Sequence, residues 1–235
     1  MKTEASLTTL PSRWAIGLAI DGDLRFLSHH DCMRAVARIA TRARLPIKYS
    51  QGFNPRPALS LVCPRPVGVA TRDDLVVVSL DTGATGQELV AELNRQAPCG
   101  MRFGPAKALE GKSVPRPRSI DYRLDLQPGQ DDAVARRLSS LQREKSWPVE
   151  RLVTARRRPV PGGGRRRATH TRTVDIKDLV TSLKLEGEVL TMTLRTQGDL
   201  WPRPGEVLRL LGLDERADLA RVVRVAVEYE LPKRT

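Results

Sequence analysis

Residues 14–43 read WAIGLAIDGDLRFLSHHDCMRAVARIATRA. The first half of this stretch is apolar and rich in strand formers. The turn residues Asp21, Gly22 and Asp23 interrupt it, so residues 14–27 read as one bent strand or a hairpin. Ser28 is placed to cap a helix over residues 30–43, whose apolar stripe is Met33, Val36, Ala37, Ala40 and Ala43, and Pro46 closes the exit. A strand leading into a helix with a single apolar face predicts a helix packed on a sheet. That pairing decides the class, and the rest of the chain repeats it.

Short strands are expected at residues 47–50, 58–63 and 75–80. A helix follows over 86–96, with Leu89, Val90 and Leu93 inward, and then a strand over 101–109. The stretch 110–119, EGKSVPRPRS, combines two prolines, a glycine and basic residues in the manner of a linker. The pattern then restarts: a strand at 120–126, a helix over 131–142 with Val134, Leu138 and Leu141 on one side, and a strand at 149–155. A hairpin at 183–185 and 189–195 comes next, then a helix over 205–211 opened by Pro204, and a strand over 222–231. The expected architecture is α+β, two tandem ferredoxin-like β-α-β-β-α-β units. Residues 1–110 form the first, 111–118 the linker and 119–235 the second.

With 235 residues and 40% hydrophobic content, the chain is long enough to bury substantial cores. No apolar run approaches the roughly 20 residues that span a bilayer, and the first residues lack the pattern of a secretion signal, so a cytoplasmic location is expected. Cys32, Cys63 and Cys99 form no C-x-x-C pair. They read as buried free thiols, with neither a disulfide framework nor a metal site, and no cofactor is expected.

Forty Lys and Arg against 27 Asp and Glu leave a net charge of +13, most of it from arginine. Guanidinium forks bind phosphate oxygens in pairs, so nucleic acid is the leading partner; a GC-rich genome alone would explain the preference for arginine but not the net charge. Residues 151–172, RLVTARRRPVPGGGRRRATHTR, hold eight arginines, three consecutive glycines and no acid. This stretch is expected to be a flexible hairpin tip, with Arg156, Arg157, Arg158, Arg165, Arg166 and Arg167 in a loop at 156–167 as phosphate ligands. Arg34, Arg38 and Arg42 line one face of the first helix. They serve either a polyanion or simple solubility. At 4%, aromatic residues are too few for extensive base-stacking platforms.

Within residues 26–69 fall Leu27, Ser28, His29, Asp31 and Arg34, then Tyr49, Ser50, Gly52, Phe53, Pro55 and Pro57, then Pro64, Pro66 and Gly68. This succession closely resembles the N-terminal signature of the radical SAM-linked protein family, bacterial proteins fused to, or encoded beside, radical SAM enzymes with B12-binding domains. RPGEVLRLLG, at 203–212, resembles the family's Arg-Pro-x-Glu segment. His30 and Cys32 depart from the family's usual hydrophobic residues, and Arg56 stands where a histidine is common. The resemblance implies a radical SAM enzyme as partner. The chain itself has no C-x-x-x-C-x-x-C motif to hold that enzyme's cluster.

Read physically, Gly52 permits a backbone shape closed to other residues, and Pro55 and Pro57 fix φ on both sides of Arg56. The expectation is a stiff ledge of Tyr49, Ser50, Gly52, Phe53, Asn54, Pro55, Arg56 and Pro57. It is expected to lie beside the helix N-terminus at Ser28, His29 and Asp31 and to face an anion, with Phe53 stacking on a base or plugging the core beneath. Asp31 has the simpler reading of satisfying the helix dipole.

The leading expectation is therefore a non-catalytic RNA-binding or substrate-presenting partner of a radical SAM enzyme, in RNA modification or ribosome-related metabolism. One alternative is a metal-independent endoribonuclease using His29, His30, Lys48 and Tyr49. Another is a protein-interaction module that touches no nucleic acid.

Overall fold

A computed structural model describes residues 13–81, 83–111, 114–154, 158–159, 165–166, 169–198 and 200–230. Its first half runs β1 (Arg13–Ile20), α1 (His29–Arg42), β2 (Leu59–Leu61), β3 (Ala70–Ser79), α2 (Gly86–Gln96) and β4 (Met101–Ala108). The second runs β5 (Arg116–Asp125), α3 (Asp131–Arg143), β6 (Pro148–Thr154), β7 (Arg158–Pro159), β8 (Arg165–Arg166), β9 (Thr169–Asp175), β10 (Val180–Glu186), β11 (Val189–Arg195), α4 (Pro204–Leu210), α5 (Glu215–Leu219) and β12 (Val223–Glu230).

The chain is α+β, built on one large, mostly antiparallel sheet of order β10-β11-β5-β12-β3-β1-β4, with β2 also on β3. Strand order is β4-β1-β3-β2 within the first half and β12-β5-β11-β10 within the second. The halves meet where β12 pairs with β3 in parallel, Val223 opposite Ala70 and Arg224 opposite Thr71. β2 takes the other end of β3, with Leu59 opposite Val78.

Local chemistry explains most boundaries. Alternation along β1 puts Trp14, Ile16, Leu18 and Ile20 inward, where they meet Val36 and Ile39 of α1 and Leu89 and Leu93 of α2. Each such side chain, once buried, stabilises by about 1.5–3 kcal/mol. Thr85 and Glu88 close a reciprocal cap on α2, each accepting the other's backbone N–H at 3.3 and 2.7 Å. A second core joins Ile120 and Leu124 of β5 with Val134, Leu138 and Leu141 of α3 and with Val207 and Leu208 of α4.

Several expectations need correction. Residues 22–26 form a 3-10 turn rather than strand, because a glycine with φ 55° at Gly22 turns the chain out of the sheet after Ile20. Residues 47–50 make only isolated bridges, at Ile47 and Tyr49. β5 begins at Arg116, so part of the stretch read as linker is paired sheet. Within the Arg-rich stretch, β6 is the strand expected at 149–155 and it pairs in register with β9, Arg151 opposite Arg172, so residues 169–172 are strand as well. Arg156, Arg157 and Arg167 lie outside the described residues; Arg158, Arg165 and Arg166 are described through their backbone alone, which pairs in β7 and β8. Cys99 is exposed, while Cys32 and Cys63 are buried. Among the described residues no helix is long and apolar enough to cross a membrane.

Candidate functional site

The start of α1 is organised around Ser28. Its hydroxyl accepts the Asp31 N–H at 3.2 Å and donates to the Asp31 carboxylate at 2.7 Å. Arg34 completes the cluster with an ion pair to Asp31 at 3.1 Å. The Ser28 hydrogen bond, followed by Arg34, holds the Asp31 carboxyl below its ordinary range. The negative charge expected at this helix end is thus supplied by Asp31 itself. His29 stacks edge-on to His30, with ring centroids 5.8 Å apart. Burial first, then His30, lowers its pKa, against an opposing pull from Asp74.

Residues 49–57 form a closed loop. Tyr49 bridges Pro57, the Ser50 N–H donates to the Arg56 carbonyl at 2.8 Å, and the Arg56 N–H donates to the Ser50 hydroxyl at 3.0 Å. Gly52, at φ 132°, supplies the turn. Ser50, Gly52, Asn54, Pro55 and Arg56 are exposed; Pro57 is half-buried. Phe53 is fully exposed at 106%, and Tyr49 is 51% exposed. Phe53 therefore plugs no core.

The loop and the start of α1 do not form one ledge. Lys48 donates its N–H to Ser79 and Ile47 bridges Leu80, which puts the loop at the far end of β3 beside the last turn of α1. Helix α1 spans about 21 Å at 1.5 Å per residue. The same separation parts His29 and His30 from Lys48 and Tyr49, so those four do not make one acid-base set. Arg34, Arg38 and Arg42 are exposed along α1; Arg34 is engaged by Asp31, and Arg42 donates to the Gln96 carbonyl at 2.8 Å.

The seam between the halves holds charges that sequence reasoning missed. Arg224 of β12 is 1% exposed and Asp74 of β3 is 3% exposed. Arg224 Nη1 donates to Asp74 Oδ1 at 2.6 Å and to the Cys63 carbonyl at 3.1 Å; Nη2 donates to the Pro64 carbonyl at 3.0 Å and to the Tyr122 hydroxyl at 3.4 Å. The guanidinium also lies over the Tyr122 ring, 5.8 Å from its centroid. Burial opposes its charge, and Tyr122 and Asp74 more than offset that, so its pKa lies above the ordinary value. Burial drives the Cys63 thiol up to about 11, which leaves it neutral.

A second guanidinium, Arg65, enters from the same proline-flanked run. It donates to the carbonyls of Arg25 and Val69 and to the Cys32 sulfur at 3.6 Å, and its Nε stands 3.6 Å from Asp74 Oδ2. Asp73 supplies a carboxylate to the Val227 N–H of β12 at 2.9 Å, satisfying a donor beyond the two residues of β3–β12 pairing. The Pro-x-Pro-x-Gly segment and the start of α1 thus converge on the join between the halves.

A signal for this was available. The chain contains four Pro-Arg-Pro triplets, centred on Arg56, Arg65, Arg116 and Arg203. Those at Arg65 and Arg203 line one cleft of about 540 Å³, together with Trp201, Tyr122 and Arg224. Beneath it, Arg151 pairs with Glu206 at 2.6 Å and donates to the Trp201 carbonyl at 2.8 Å. An acid from outside the stretch therefore holds Arg151, the first arginine of residues 151–172, which contain no acid of their own.

No curated protein matches the chain. Among solved structures, the crystal structure of an unknown protein from Galdieria sulphuraria is similar at 12% identity over 78% of this chain and 82% of that one, with a TM-score of 0.26. Residues 13–202 match the family described as "Uncharacterized protein conserved in bacteria (DUF2344)", a span that takes in the loop, the β3 side of the seam with Asp74, and Pro202 of the second Pro-Arg-Pro wall, and the chain belongs to that family.

Proposed function

We propose that this protein binds RNA and presents it, without chemistry of its own, to a radical SAM enzyme with a B12-binding domain, in RNA modification or ribosome-related metabolism. The observation that carries the reading is the closed loop at 49–57. It holds the fully exposed Phe53 and half-exposed Tyr49 beside Arg56 on a chain of net charge +13. An aromatic face next to cations on a pre-shaped loop suits an unpaired base and its phosphates. The radical SAM partner is supported by the signature in residues 26–69. Reading the halves as two tandem ferredoxin-like units, with β6 and β9 inserted in the second, is supported by their matching strand orders. A cytoplasmic location belongs to the same proposal.

Gel-shift titration with structured and single-stranded RNA tests it. Affinity should fall steeply with salt and collapse when Arg156–Arg158 and Arg165–Arg167 are neutralised together. Phe53→Ala should weaken binding by about tenfold, the lower part of the range for losing one stacked base. No RNA affinity at low salt would reject the reading. A second reading, protein docking without nucleic acid, is favoured by the same exposed Phe53, which would anchor equally well in a partner's pocket. A radical SAM complex that forms without RNA and survives nuclease would select it.

A further inference from the structure

The buried charges around the seam do not balance. Arg151 and Glu206 form a closed pair, 12% and 1% exposed at the side chain. Asp218, also buried, is paired with Arg221 at 2.9 Å. That leaves Arg65 and Arg224, with side chains 5% and 1% exposed, sharing Asp74 as their carboxylate among the described residues. Asp73 is only half-buried and its Oδ2 is held by the Val227 N–H. Two buried guanidiniums and one carboxylate leave a surplus of one positive charge in a place where uncompensated charge is costly.

Both arginines line the 540 Å³ cleft; the Arg224 Nε–H is buried without a hydrogen-bond acceptor, while the Arg65 Nε stands 3.6 Å from Asp74 Oδ2. Unsatisfied buried donors are uncommon in folded proteins and call for an explanation. Tyr122, also on the wall, accepts from Arg224 and retains a hydroxyl proton to donate. The remaining wall is apolar: Pro64, Pro66, Ile120, Trp201 and Pro202. Arg203, exposed, stands at the rim. The volume falls in the range of small-molecule sites, and the combination of apolar walls with a few convergent donors is what such sites are made of.

We infer that this cleft binds a small organic carboxylate, its anionic head toward Arg65 and Arg224 and its apolar body against Trp201 and the prolines. The charge count selects the head group. One carboxylate cancels the surplus, whereas a phosphate dianion would overshoot it by one and would be poorly matched to walls so short of further donors. The site is separate from the loop at 49–57, so its occupancy does not depend on whether the chain binds RNA.

The test titrates the full chain with indole-3-acetate and phenylacetate, with indole-3-acetamide, phenylacetamide and phenyl phosphate alongside, by calorimetry and tryptophan fluorescence. Both carboxylates should saturate, bind at least about tenfold more tightly than their amides and raise Tm. Trp201→Phe should remove most of the fluorescence response. Arg224→Lys keeps the charge but loses the fork, and should abolish binding. Because Arg224 is deeply buried and its replacement puts the fold itself at stake, Arg203→Glu on the exposed rim provides the independent check and should weaken carboxylate binding about tenfold. Equal affinity for acid and amide, tighter binding of phenyl phosphate, indifference to Arg203→Glu, or no saturable binding up to millimolar concentration would each overturn the inference.

Discussion

Arg56 and Arg65 sit nine residues apart, each between two prolines, and meet opposite fates. Arg56 points to solvent from a loop that is closed by its own backbone and by Ser50. Arg65 is sealed against Asp74, Cys32 and two carbonyls from the first half. The prolines do the same work in both places, fixing φ and removing a donor, so the peptide carbonyls and the arginine keep set directions. What differs is the surroundings. A run of such residues marks a shaped backbone, and the neighbours brought in from elsewhere in the chain determine whether its arginine faces water or a buried acid.

The sharpest test of the contrast is at the seam. Arg224→Ala takes the shortest ion pair from Asp74, leaving it Arg65 at 3.6 Å, and deprives the Cys63 and Pro64 carbonyls of their buried donor; it should cost about 3–5 kcal/mol, seen as a lower denaturant midpoint, while Arg56→Ala should change stability by no more than about 0.5 kcal/mol. Adding Asp74→Asn to Arg224→Ala should deepen the loss, because Arg65 is then buried without the carboxylate it shared with Arg224. Equal effects of Arg224→Ala and Arg56→Ala would erase the distinction between the buried seam that holds Arg65 and the exposed loop that holds Arg56.

A smaller effect is expected within the loop itself. Ser50→Ala removes the acceptor of the Arg56 N–H and should cost about 1 kcal/mol or less, while making residues 49–57 a faster site of limited proteolysis. Unchanged proteolysis would show that the prolines alone hold the shape.

The smallest effect concerns His29. Its pKa in the folded chain lies below the ordinary 6.5, so the unfolded chain binds more protons in the window between the two values. Stability should therefore be intact above pH 6.5 and decline as pH falls from there through the folded pKa. His29→Gln should flatten that slope in thermal melts taken across the window; an identical slope would assign the acid sensitivity to other groups.

Much of the scaffold was readable because its signals are local. Thr85 before Glu88 and the Leu89/Leu93 spacing place α2 at its observed bounds, and the Pro204 start of α4 follows from proline's fit to a first helical turn. β9 is harder to read because the β-branched alternation of THTRTVD directly follows a run of arginines and glycines that carries no strand signal. The seam was unreadable for a different reason. Arg224 sits in RVVRVAVEYE, where an alternating arginine ordinarily faces solvent, and only pairing with β3 turns it inward. Of the residues expected to form one ledge, the structure separates the α1 cap from the 49–57 loop. Periodicity says which face a residue takes but not which end of the molecule its element reaches.

The parallel contact of β12 with β3 also sets the order in which this protein can mature. Asp74 emerges during synthesis 150 residues before the arginine that neutralises it, and the edge of β3 at Ala70 and Thr71 stays open for the same interval. Until β12 arrives, the first half carries an exposed strand edge and a carboxylate without its principal counter-ion, the kind of surface that invites wrong partners. Completion of the second half is therefore what closes the first.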